Sequence, residues 1–473
     1  MHKNLIMPTE ITIKDKKKMV KGTVIRAAIF ARSKVIDVLT TENERFYFIY
    51  YKNSLIYGDK LDLVEDGSFI KKAFHEGIVI ESPHPILTAL IPNLSVSIPN
   101  KNKLFSQLQT HYSLQELAHI ATTLDSFFEH NQLIKIIDNI FFHYRREGNF
   151  SMSFQIIQIL NGFAPTLKSA KERLNSQEFY SYHDFYKSSS LPSILKKDPL
   201  YVELHCFKNR SNPDEHALLE EILAKQNGSV ELLLLWLEKV EQVQKVEFVE
   251  KYTEIALQLV TMREWILILE KVKINPYLVL PDANEMIEKM IQQGNYEEAA
   301  EYLLNFIHDL PSSYDEILNK IWENLNAAFL VAHLDHFIFM LEQLVHKGNT
   351  KQSEQRMFQL VVILLEEHGL EAVYERLLPI QKLLSHSGVM RKVHKMVELL
   401  EDPDRMMELG DYYAEFNQFD KAIDCFFWEM ELQPQDPSPA QKISKMYQHK
   451  GMVNEAADYQ KVYIQLKSNQ ETG

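Results

Sequence analysis

His333 and His336, with Asp335 between them, are the nearest approach in this chain to a metal-ligand pattern. On a helix, a spacing of three would bring both imidazoles to neighbouring faces, as a zinc site requires. No second ligand cluster accompanies them, so a solvated or packed pair is the plainer expectation, and no metal or cofactor is predicted. Arg45 and Lys52 flank Phe46, Tyr47, Phe48, Tyr50 and Tyr51. That mixture stacks bases in single-strand binders, but the same residues serve as the core of a sheet with tyrosines at its edge, and the sheet is the reading preferred. Lys16, Lys17 and Lys18 would steer an acidic partner or, more simply, form a mobile solvated tail. The phosphate-cradling loop, the dinucleotide-binding glycine pattern, H-E-x-x-H and G-x-S-x-G do not occur. The chain is therefore expected not to be an enzyme.

Composition points the same way. The 473 residues include only 14 glycines, roughly 3% against a usual ~7%, which leaves little material for tight catalytic turns. A net charge of −14 favours solubility and argues against a general nucleic-acid binder. The charge is uneven: residues 1–40 hold nine Lys or Arg and three Asp or Glu, most simply a solvated basic stretch. Cys206 and Cys425 are too far apart to form a metal motif or a disulfide framework, and both are expected reduced and buried. Neither Met1 to Lys21 nor the runs Leu232–Leu237 and Leu360–Leu365 reach signal-peptide or membrane-span length. A cytoplasmic protein is expected.

These residues must be held by two kinds of element. Gly22 to Phe30 is apolar and β-branched, Arg45 to Tyr51 is aromatic, and Ser54 to Val64 alternates, with Lys52-Asn53 as a turn. Residues 1–105 are expected to form a small β-containing module, although Thr23 to Leu39 also fits a helical face. Pro83, Pro85, Pro92 and Pro99 read as an irregular connection. From Ser113, which forms a capping box with Glu116, helical patterns follow one another between breaks at Gly148-Asn149, Asn227-Gly228, Gly294-Asn295, Gly348-Asn349 and Gly369. Such a rhythm predicts a degenerate array of helical hairpins over 106–402 and a clearer pair over 403–473, with Trp236, Trp265 and Trp322 supplying core.

The C-terminal pair carries the most specific pattern. Its units begin at Pro403 and Pro437, a step of 34 residues. The first holds Leu409-Gly410, Tyr413, Phe419, Ala422, Phe426, Leu432 and Pro434, and the second keeps Tyr447, Gly451, Val453, Ala456 and Leu466. Gly410 and Ala422 are small where two antiparallel helices would cross, and Asn417 is a turn residue that tolerates a left-handed backbone. Residues 134–167 and 280–313 repeat the pattern, each with 17 residues from the turn glycine to Pro165 or Pro311. These units resemble the tetratricopeptide-repeat family, including its bacterial cytoplasmic members. Glu429, Ser444 and Gln460 depart from the signature.

The resemblance implies a mainly α fold: a right-handed, helical-hairpin solenoid preceded by the β-containing module. It further implies that the first helix of each hairpin lines a concave, partner-binding groove. Its inward positions fall on Lys135, Asp138, Phe142, Arg145 and Arg146, then on Asn284, Glu288, Ile291 and Gln292. In the C-terminal pair they fall on Asp404, Met407, Asp411, Ala414 and Glu415, then on Gln441, Lys445, Gln448 and His449. Met407 and Asp411 stand where a carboxylate-gripping clamp would need lysine and asparagine, which disfavours that mode of tail binding. The expected function is a non-catalytic scaffold for a protein or peptide. The alternative is a bacterial peptide-sensing regulator with an N-terminal effector module.

Overall fold

The computed structural model describes residues 7–15, 18–243, 248–348, 350–381 and 387–472. The chain is mainly helical and divides into two compact units, Met1–Met286 and Ile287–Gly473.

In the first unit the β-branched and aromatic stretches become a sheet. β1 (Glu10–Asp15), β2 (Lys18–Phe30), β3 (Ser33–Thr40), β4 (Arg45–Tyr51) and β5 (Ser54–Lys60) lie in the order β5-β4-β3-β2-β1, each antiparallel to the next. β6 (Ile78–Glu81) pairs with the second half of β2, and β7 (Ser95–Ser97) adds parallel to β1. Thr23 to Leu39, open to a helix in sequence, is thus two strands joined at Ala31, which takes φ 51. The β-branched residues find cross-strand partners on both sides, which outweighs their weak helical periodicity. Lys52 turns the β4–β5 hairpin at φ 54 as expected, but β5 stops at Lys60 and does not reach Val64.

Two local expectations are corrected. The proline-rich segment is not merely irregular: it holds a short helix and β7, whose register Thr12↔Ser95 spans most of the module. Lys18 is not part of a free tail, because it begins β2 and its ammonium lies 2.6 Å from Glu42. Lys16 and Lys17 lie outside the described residues, as does Asn349.

Twelve helices of this unit concern the site: α1 (Phe69–Glu76), α2 (Ile86–Leu90), α3 (Leu104–His111), α4 (Leu114–Thr122), α5 (His130–Arg146), α6 (Phe150–Phe163), α7 (Lys168–Leu174), α8 (Tyr180–Ser188), α9 (Leu191–Leu195), α10 (Pro199–Lys208), α11 (Pro213–Lys225) and α12 (Ser229–Val243). Several of them, α1, α2, α4, α10 and α12, lie against the sheet on one face or the other. On one face Phe30 meets Phe69 of α1 and Phe207 of α10 at ring separations of 5.9 and 5.2 Å, and Tyr51 meets Tyr112 at 5.4 Å. On the other, the ammonium of Lys34 reaches Glu231 of α12 at 2.8 Å. Tyr47, Tyr50 and Tyr51 are consequently buried core residues, not edge residues.

Ion pairs lock sheet to helices. Ser113 and Glu116 form the expected capping box, and Glu116 also takes Lys52 at 2.9 Å and Arg32 at 3.4 Å. Arg32 lies 2.6 Å from the buried Glu203 of α10. Burial alone would depress the Arg32 guanidinium, but the hydrogen bond and charge of Glu203 hold its pKa above the ordinary value. Burial likewise opposes ionisation of Glu116, yet Lys52 and the Ser113 cap keep its carboxyl below the usual range. Removing one member of such a buried pair costs about 3–5 kcal/mol.

In the second unit the predicted C-terminal hairpins form as Met406–Glu415 with Phe419–Leu432, and Ser438–His449 with Val453–Thr472. Leu409, Phe416, Ala422, Phe426 and Ile443 are buried between them. A Cβ built on Gly410 would lie 2.5 Å from the Phe426 ring, so glycine is what lets the two helices cross. Trp236, Trp265 and Trp322 are each buried, as are both free cysteines. Burial pushes each thiol up to about 11.

Candidate functional site

The predicted groove positions do not all face outward. On α5, Asp138 accepts from Arg173 at 2.8 Å, and the same guanidinium lies 5.3 Å from the Phe142 ring centroid. Arg145 reaches Glu178 at 3.2 Å. Both partners come from the segment that follows α6, so this stretch of the expected groove is partly covered by the chain itself. Arg146 is exposed and donates to the carbonyl of Phe142 in its own helix. Phe142 keeps 43% of its surface. Lys135, two turns before Phe142, is exposed and lies on the wall of a cavity in the first unit.

Glu288 is exposed, Asn284 half-buried and Ile291 buried. Ile291 offers no surface to a partner, which corrects the sequence reading: its apolar side chain serves the core, as helical spacing to the buried Ile287 allows.

The C-terminal hairpins present the predicted positions more openly. Asp411 and Glu415 are exposed on one first helix, and Lys445, Gln448 and His449 on the next. Lys442 bridges the two helices by placing its ammonium 2.6 Å from both oxygens of Asp411. Glu415 takes Lys392 at 2.5 Å, and the His449 ring stacks on Phe419 at 5.3 Å. These are solvent-exposed pairs, each contributing about 0–1 kcal/mol, so they exchange readily for contacts with a partner.

Lys421 differs from its sequence reading. Its ammonium hydrogen-bonds the carbonyl of Leu365, and burial lowers its pKa, so it ties the hairpin to the helix Thr350–Glu367 and is not a free surface lysine. Glu429, a departure from the repeat signature, is buried and accepts from Gln433 at 2.7 Å. His333 and His336 have ring centroids 6.0 Å apart. Among the described residues, no group of three or more His, Cys, Asp or Glu could hold a metal ion. No described helix is long and apolar enough to cross a membrane.

Sequence reasoning missed the groups that line the cavity beside Lys135. They come from α1, α4, α6 and α10, separated by up to about 140 positions, and share no motif. One signal was present: Gln155 stands on a helix whose other central residues are almost all apolar.

No protein-family model and no curated protein matches this sequence. Solved structures match only loosely. MamA aligns over 40% of this chain and 97% of its own at 18% identity, with a TM-score of 0.18. The Naa15/Naa10 complex bound to HypK-THB aligns over 77% and 60% at 12% identity (TM-score 0.20). The Cut9–Hcn1 hetero-tetramer of APC/C aligns over 78% and 83% at 13% identity (TM-score 0.17). At these scores the likenesses carry no argument, and the architecture rests on the hairpins of this chain itself.

Proposed function

We infer that this protein is a non-catalytic scaffold that holds a protein or peptide on the first-helix faces of its hairpins. The observation that carries this reading is the ridge formed by Asp411, Glu415, Lys445 and Gln448. Their side chains stand exposed on adjacent first helices, and one exchangeable bridge joins the two helices. Charged and amide groups at regular intervals across neighbouring helices suit a segment of complementary charge, with the apolar core beneath keeping the ridge rigid. The α5 face contributes less than its sequence indicates, because Glu178 and Arg173 already engage Arg145 and Asp138.

The test is a triple reversal, Asp411→Lys, Glu415→Lys and Lys445→Glu, in the intact chain. Captured proteins are quantified by mass spectrometry beside the parent. At least one stoichiometric partner is expected to fall about tenfold or more, while the melting temperature changes little because the altered groups are exposed. An unchanged set of captured proteins would remove this face from consideration.

A further inference from the structure

We draw no further inference here: the strongest candidate, the open cleft of the first unit between the sheet and helices α1, α4, α5, α6 and α10, carries lysines, carboxylates and half-buried aromatic rings together on its wall, and nothing in the structure shows which partner or ligand fills it.

Discussion

Gly410 shows how much a single position can decide. Its missing side chain is the space occupied by the Phe426 ring, 2.5 Å from where a Cβ would stand. Phe426 is fully buried and is held by the next hairpin as well as its own, so the ring cannot swing away. Gly410→Ala is expected to cost about 1–3 kcal/mol through overpacking, measured by chemical unfolding of the intact chain. The matched control is Glu431→Ala on the partner helix, at an exposed position, which should cost less than about 0.5 kcal/mol. Equal, negligible effects would show that the helices do not cross at Gly410. Lys421 is unsuitable as the silent control that its sequence position indicates, because its ammonium satisfies the C-terminal carbonyl of Leu365. A lysine facing solvent and a lysine capping a neighbouring helix look alike in sequence, since the carbonyl is 56 positions away.

At the level of elements, the hairpins were legible because their turns carry local chemistry. Gly148, Gly294 and Gly451 take φ values of 72, 81 and 74°, and Asn417 takes 60° in the same role. A left-handed residue at the helix end is what the glycine and asparagine signals announce. The sheet was half legible. β2, β4 and the Lys52 turn follow from local pattern, whereas β1, β6, β7 and helix α1 went unmarked. β7 pairs with β1 across about eighty residues, and three-residue strands carry no periodicity to detect. The groove was the least legible, because the intramolecular partners of Asp138 and Arg145 lie in α7 and just after it, outside any repeat signature. The turns themselves give a sharp expectation. No atom lies within 4 Å of a Cβ added at Gly148 or Gly294, so Gly148→Ala or Gly294→Ala would be penalised by backbone conformation alone, about 1–2 kcal/mol. Asparagine at either position should cost visibly less, as Asn417 already demonstrates in its own hairpin. Thermal unfolding of the four variants decides it, and alanine equal to asparagine would mean that these turns relax to another conformation.

Across the whole molecule, the sequence changes character near residue 105, but the first unit continues to Met286. The reason is visible in its contacts. Arg32 of the β2–β3 turn is paired with Glu203, Lys34 with Glu231, and the Tyr51 ring packs at a tilt against His119, each linking the sheet to a helix far along the chain. A fragment of residues 106–473 loses every one of those partners and uncovers Phe127 and Phe207, which are 7% and 3% exposed in the intact chain. Newly exposed apolar surface of that kind drives association. A fragment of residues 282–473 starts with the helix Asp282–Gln292, inside which the two compact units meet in sequence, and keeps the C-terminal hairpins with the helices they pack on. The shorter fragment is therefore expected to elute as a single species and unfold cooperatively, while the longer one aggregates or melts broadly well below the intact protein. Size-exclusion chromatography and thermal unfolding of the two fragments check this directly. A sharp transition of 106–473 at the temperature of the intact chain would show instead that the helices following the sheet hold together without it.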